Sequence, residues 1–447
     1  LSVCRLGEVR STIELSLAHT LDRDFAQNVI IVQWYTSCLA KLMRNSRGTE
    51  RRVADDTRTR FFAELRAIKR EIDAARGPED VSHLKRIEIW GKVATIVGFA
   101  TAWLVINPIS IFLLSQGRLT RWVIAHHIMH KAYDRIPNVP ARFTSKVFAK
   151  GPFRRFIDWF DWIDPEAWDL EHNRLHHPNL LGPQDPSWVE GSGNALPIPF
   201  WRRPLKFLLL LNIFSHWRAT VYVLTSMKQL FRRRSQQTPI GAILDARRDI
   251  SLLSPFNEAG REVWWRCLLP YGLVQFVLIP ALFLLVSREA AINVVISSIL
   301  AEIVGNIHSG ITIYPNHAGD DLYRLESATS DPDEVVLQNI VGTTNFRTGG
   351  TVNDLMHLWL NYHIEHHVWP TLTMRQYQLV QPKLKALCDR YGIPYVQQSV
   401  WQRVRQSFRV FTGTAPMPVA DASTFFSMSE RPPLEQEVTG APQAARI

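Results

Sequence analysis

The segment Asn361-Tyr362-His363-Ile364-Glu365-His366-His367-Val368-Trp369-Pro370 places three imidazoles within five residues. On a helix, His363 lies three and four positions from His366 and His367, so one face can carry all three rings. Imidazole ligates iron, zinc, copper and nickel, whereas three unmetallated rings in one turn form a crowded, electropositive patch. The neighbours Trp359, Leu360, Tyr362, Val368 and Trp369 argue against a solvated histidine run. The same one-face spacing recurs upstream in His126-x-x-x-His130 and His172-x-x-x-His176-His177. Eight of the 15 histidines fall in these three boxes, which together specify a metal site.

Eight candidate ligands exceed what one ion uses. Two metals sharing them, each with open positions, fit the count. An oxygen-activating di-iron pair suits nitrogen-rich boxes beside apolar runs better than structural zinc, which closes at four ligands. A zinc hydrolase needs an open zinc and a positioned carboxylate base, as in HExxH, a motif absent here. A membrane zinc hydrolase, or a metal-binding membrane protein without oxygen chemistry, is the alternative from another class. Glu171 and Glu365, each beside a box histidine, and Asp134 are expected to hydrogen-bond the imidazoles from behind. His357, upstream of the third box, is expected either to orient a ligand or to pack. His127 reads as a box neighbour, His216 as interfacial, and His19 and His83 as surface residues.

The elements that must position these boxes are membrane-like. The formal charge of +10 and pI near 9.6 permit nucleic acid or a membrane surface as partner, and long uncharged runs select the lipid bilayer over nucleic acid. The four cysteines, Cys4, Cys38, Cys267 and Cys388, imply neither a disulfide framework nor a zinc ribbon. Residues 93–115 carry no charge and could cross about 30 Å of hydrocarbon, but Asn107-Pro108 breaks them. Lys85, Arg86, Lys92, Arg118 and Arg121 flank both ends, so two arms, spans at about 90–106 and 107–125, return the chain to the cytoplasmic side. Residues 131–171 contain no span. There Arg154, Phe156, Ile157, Trp159, Phe160, Trp162 and Ile163 suggest an interfacial segment. Residues 267–286 and 290–313 form a second hairpin, which brings the third box to the face of the first two.

The expected architecture is therefore an all-α integral membrane protein with four transmembrane helices in two hairpins. A cytoplasmic helical cap would hold the di-iron site. Residues 60–412 are expected to form this domain, opening with an amphipathic helix at 60–76 that lies on the bilayer or packs on the protein. Residues 1–59 read as an N-terminal extension, with 1–42 not native and the natural start at or near Met43. Residues 413–447, rich in Pro, Ala, Ser and Thr, read as a disordered tail. Near the end of the fourth span, His308 is expected to be a ninth ligand, since a ring inside an apolar helix is costly without a partner. Asn306 and Glu302 make that end polar, and Asn306 is a candidate partner behind the ligands. His317, in the following loop, is the alternative to His308.

The three boxes, the hairpin between the second and third, and the words around them resemble the membrane fatty-acid desaturase and hydroxylase superfamily over roughly residues 60–400. Residues 361–370 are similar to the NxQIEHHLFP region of many acyl-lipid desaturases, with His363 where most front-end members carry Gln. The resemblance implies two iron ions, dioxygen as co-substrate and removal of two hydrogens from an unactivated long acyl chain. His126, His130, His172, His176, His177, His363, His366 and His367 match its ligand positions, and some acyl-CoA desaturases draw an extra His from the helix that carries His308. A C–H bond in a lipid tail has no acidic proton, so a metal–oxygen oxidant is required. Lipid or alkyl hydroxylation is the alternative within the superfamily. The second box has three residues between its first two histidines where many desaturases have two. No His-Pro-Gly-Gly haem signature occurs, which implies an external electron donor of ferredoxin, rubredoxin or cytochrome b5 type.

Overall fold

The computed structural model describes residues 54–188, 203–235, 249–326 and 331–426. The chain divides after Thr59 into two compact units. Of the first, residues 54–59 are helical, and the expected start at Met43 lies outside the described residues. The second unit, from Arg60, is mostly helical.

It opens with helix α1 (60–74), whose Phe61, Phe62, Leu65 and Ile72 recur at helical spacing and are all buried. Their partners are protein rather than lipid. Phe61 meets Tyr391 at 5.4 Å and Phe426 at 5.8 Å, and the Tyr391 hydroxyl donates to Glu64 at 2.7 Å. Helices α2 (Pro78–Ala102) and α3 (Pro108–Met129) form the first hairpin. Asn107 caps α3 by accepting from the Ser110 N–H at 2.8 Å, and Pro108 suits the first turn, where no intrahelical partner is needed. Two expected boundaries shift. The first arm starts its helix at Pro78 and ends it at Ala102, and the second continues beyond residue 125 to Met129. Gly98 lets the arms touch, since a Cβ there would stand 2.8 Å from the Leu114 Cγ.

Helix α4 (Gly151–Asp158) exposes Phe153, Phe156 and Ile157, as an interfacial helix would. Trp159, Trp162 and Ile163 depart from that expectation. All three are buried, because the chain turns inward after α4, and Trp162 packs on Tyr271 at 4.4 Å. The helical run α5 (Glu258–Leu285) and helix α6 (Arg288–Ile313) are long and apolar enough to cross a membrane. Trp265, Val277, Leu282 and Leu285 stay exposed along α5, and so do Ile89, Val93, Ile96 and Ile109 on the first hairpin. Such apolar belts mark surfaces that contact lipid or another protein.

The extended structure among the described residues consists of short parallel pairs. Arg324–Leu325 pairs with Val419–Ala420, and Asn345–Phe346 with Gln397–Gln398. The first pair corrects the expected tail. Residues 413–426 are ordered by ladder bonds from Arg324 to Pro418 and from Glu326 to Ala420, and Phe425 and Phe426 are buried. Residues 427–447 lie outside the described part.

Candidate metal centre

Each histidine box has its own backbone geometry. His126 and His130 occupy the last turn and the end of α3. Residues Asp169–His176 wind as wide π-type turns, with hydrogen bonds five residues apart. That widening brings His172 and His177, five apart, to 3.3 Å between their Nε2 atoms. The third box is the short helix α7 (His363–Val368), where His363 and His367 face each other at 4.7 Å between ring centres. It is entered through Leu358 and Trp359, both in the left-handed region at φ +57° and +54°. Non-glycine residues rarely sit there, so surrounding contacts must hold the turn.

The boxes converge. His126, His130, His172 and His366 present ligand nitrogens within 4.8 Å of one another, and so do His176, His317 and His367. His177, His366 and His367 form a third such group between them. The Nε2 atoms of His126 and His366 lie 3.0 Å apart. Two nitrogens bound at right angles to one ion at about 2.1 Å would be separated by about 3 Å. All eight box histidines are thus brought together, and His317 is the ninth. Its Nε2 is 2.8 Å from the His363 Nε2, and its ring is 4.7 Å from that of His176.

His308 is placed differently. Its Nε2 lies 2.6 Å from the Met356 carbonyl, and its Nδ1 lies 3.2 Å from the Gln116 amide nitrogen. Both nitrogens are engaged outside the cluster, which makes His308 a bridge between α6 and the segment before the third box.

The donor set fits metal ions. His130 Nε2, His363 Nδ1, His317 Nδ1 and both nitrogens of His367 are buried without a hydrogen-bond partner. Native proteins seldom leave such atoms unsatisfied. Burial, followed by the neighbouring imidazoles, holds His130, His172, His177, His366, His367 and His317 well below the usual histidine range. The rings are therefore neutral, as ligation requires. His176 departs from this: burial lowers its pKa, but the Asp185 carboxylate outweighs that and leaves it raised.

Behind the ligands stand groups that sequence reasoning did not find. Asp185 Oδ1 lies 2.9 Å from His176 Nδ1, and its other oxygen accepts from the Leu181 N–H at 2.9 Å. The Tyr377 oxygen lies 3.2 Å from His366 Nδ1 while its hydroxyl donates to the Trp369 carbonyl at 3.1 Å. Both contacts leave Nε2 as the ligating atom. Asp354 takes hydrogen bonds from Asn361 at 2.6 Å and Tyr362 at 2.9 Å, which fixes the entry to the third box. No spacing pattern marks these residues, because loop geometry and a separate helix, α8 (Met374–Tyr391), deliver them.

The expected outer partners divide. Glu171 accepts from Tyr222 at 2.6 Å and Ser187 at 3.0 Å, and so anchors the second box through its backbone. Glu365 accepts from Tyr395 at 2.6 Å and Asn345 at 2.8 Å, and burial pushes its carboxyl up to about 7. The other three face away from the boxes. Asp134 is taken by the Ser145 backbone and hydroxyl at 2.7 and 2.6 Å. His357 Nδ1 is 2.8 Å from the Asn353 carbonyl, and its ring lies against Phe346. Asn306 binds the Arg218 N–H at 3.0 Å and the Glu302 carbonyl at 2.8 Å within the helix bundle. His83 is buried rather than on the surface, edge-on to Trp359 at 5.5 Å.

A narrow cavity of about 60 Å³ opens onto the histidines between Trp122, Trp168, Trp217 and Tyr314. Its lining joins these aromatic rings to His126, His172, His176, His317 and His363, so an apolar group entering it would sit against the imidazoles. The fold and the site define a helical protein of membrane type whose clustered histidine boxes could hold metal. The chain matches the fatty acid desaturase family over residues 101–399 and belongs to that family. It is 23% identical over 373 residues to an NADPH-dependent stearoyl-CoA 9-desaturase of Mycobacterium tuberculosis, covering 78% of this chain and 77% of that protein. A Delta(8)-fatty-acid desaturase of Euglena gracilis is 29% identical over 124 residues, 28% of this chain and 29% of that one. No solved structure matches. The protein is an oxidoreductase acting on fatty acyl chains.

Proposed function

We propose that this chain desaturates a long acyl chain with two iron ions and dioxygen, drawing electrons from a separate donor protein. The observation that carries the reading is the convergence of nine buried or half-buried histidines from three boxes and one loop, with overlapping groups of ligand nitrogens. Bound iron would supply the oxygen reduction and hydrogen abstraction that an unactivated C–H bond demands. His126, His130, His172 and His366 would hold one ion, and His176, His317, His367 and His363 the other, with His177 between them. Asp185 and Tyr377 fix the ring orientations, while Trp122, Trp168 and Trp217 exclude water and align methylenes over the ligands. The apolar belts of both hairpins support four membrane crossings. The basic residues at the histidine ends of the first hairpin support a cytoplasmic site.

Protein purified from iron-supplemented cells is expected to bind about two irons per chain. Expressed in a lipid-producing host, it should yield acyl chains lighter by two hydrogens. Zinc in place of iron, with no oxygen consumed under reductant, would sink the proposal. A product heavier by one oxygen would move the assignment to hydroxylation.

A further inference from the structure

Arg121 lies on α3, five residues before His126, where two grooves of about 290 and 320 Å³ adjoin. Both are walled by Thr95, Gly117, Arg121 and Ile157, and most of their remaining surface is apolar. The other cations there already have carboxylates. Arg118 pairs with Glu302 at 3.0 Å, and Arg142 and Lys92 share Glu88 at 2.7 and 2.8 Å. Asp158 is held by Arg154 at 2.8 Å. The Arg121 guanidinium has no hydrogen bond or ion pair among the described residues, and Asp161, whose field reaches it, is already bound by Arg218.

An unneutralised guanidinium at membrane depth is costly, and it finds either water or an anion. Ile157, shared by the two grooves, belongs to α4, whose exposed Phe153 and Phe156 mark headgroup level. A planar guanidinium donates two parallel hydrogen bonds to a phosphate, and apolar walls beside it suit acyl tails. We infer that Arg121 and its grooves bind the phosphate of an anionic phospholipid from the surrounding leaflet, apart from the cavity at the histidines. The inference rests on the reading that α2 and α3 cross the bilayer.

The test is lipid retention and thermal stability of full-length protein in nanodiscs of phosphatidylglycerol or phosphatidylcholine. Wild type is expected to co-purify with phosphatidylglycerol and to unfold at higher temperature in it. Arg121→Gln should retain at least about tenfold less, and Arg121→Lys an intermediate amount. Iron content reports whether each variant is folded. Should Arg121→Gln lose iron, Ile157→Trp, which keeps the guanidinium but fills both grooves, is expected to show the same lipid loss. Equal retention of both lipids by wild type, or unchanged retention in the folded variants, overturns the site. Inorganic phosphate that reproduces the stabilisation in detergent would make the ligand a free anion and would likewise overturn it. Release of the chain from membranes by alkaline carbonate would instead refute the membrane reading.

Discussion

A ligand nitrogen is useful only if its ring is held still and its proton sits on the other side. Asp185 and Tyr377 do this for His176 and His366 through their Nδ1 atoms. Asp185→Ala and Tyr377→Phe should each cost about 10–100-fold in iron affinity, measured by competition with a chelator. The sequence grouped eight imidazoles into three one-face boxes, because helical spacing is local. The structure brings His317 rather than His308 to those eight, because which of the two arrives depends on where a loop returns. His317→Ala is therefore expected to lose iron from the group it shares with His176 and His367. His308→Ala should keep its iron, and the reverse outcome would restore the sequence-based order. A different residue sets acid sensitivity. Burial, then Arg86, lowers His83 to about 4, so the unfolded chain takes up a proton that the folded chain refuses. The stability due to this neutral ring is complete above about pH 6.5 and falls as pH drops towards 4. His83→Leu should lose less stability than wild type between pH 7 and about pH 5, read from thermal unfolding at each pH.

At the scale of elements, the boxes are carried by three different backbone forms, and only one was legible. The end of a regular helix, at His126 and His130, follows from apolar spacing and a capped Asn107-Pro108 turn. The wide turns of the second box cannot be read from composition, because a π-type turn has no residue signature of its own. They do explain the spacing of that box, since a separation of five positions between His172 and His177 suits a wide turn. The ordered part of the tail was missed for a similar reason. A two-residue ladder and two buried phenylalanines are too short to outweigh a Pro- and Ser-rich composition. The first hairpin offers a test of element packing. Gly98→Val would push a branched side chain against Leu114, whose backbone nitrogen would lie 3.1 Å from the new Cβ. Overpacking of this kind costs about 1–3 kcal/mol, and the variant should show a lower unfolding temperature in detergent.

At the scale of the whole molecule, the two hairpins are joined by buried charge as well as by apolar packing. Glu302 on α6 pairs with Arg118 on α3 at 3.0 Å and accepts from Tyr271 on α5 at 3.0 Å and from Trp162 at 2.8 Å. Arg218, bound to Asp161, stands 3.9 Å from the same carboxylate, and its N–H is fixed by Asn306. From Arg218 the chain runs directly to Tyr222, whose hydroxyl holds Glu171 beside the second box. The polar character noted at Glu302 and Asn306 is thus structural: it registers α3, α5 and α6 and positions the segment behind His172. Breaking a buried pair leaves its partner's charge unmatched and costs more than the pair contributes. Glu302→Ala strands Arg118 and should destabilise the protein by about 3–5 kcal/mol, with iron lost as the second box loosens. The double variant Arg118→Met, Glu302→Leu removes both charges, so it should recover much of the unfolding temperature. If the single and double variants unfold alike, the cluster does not act as a pair and the hairpins are held by packing alone.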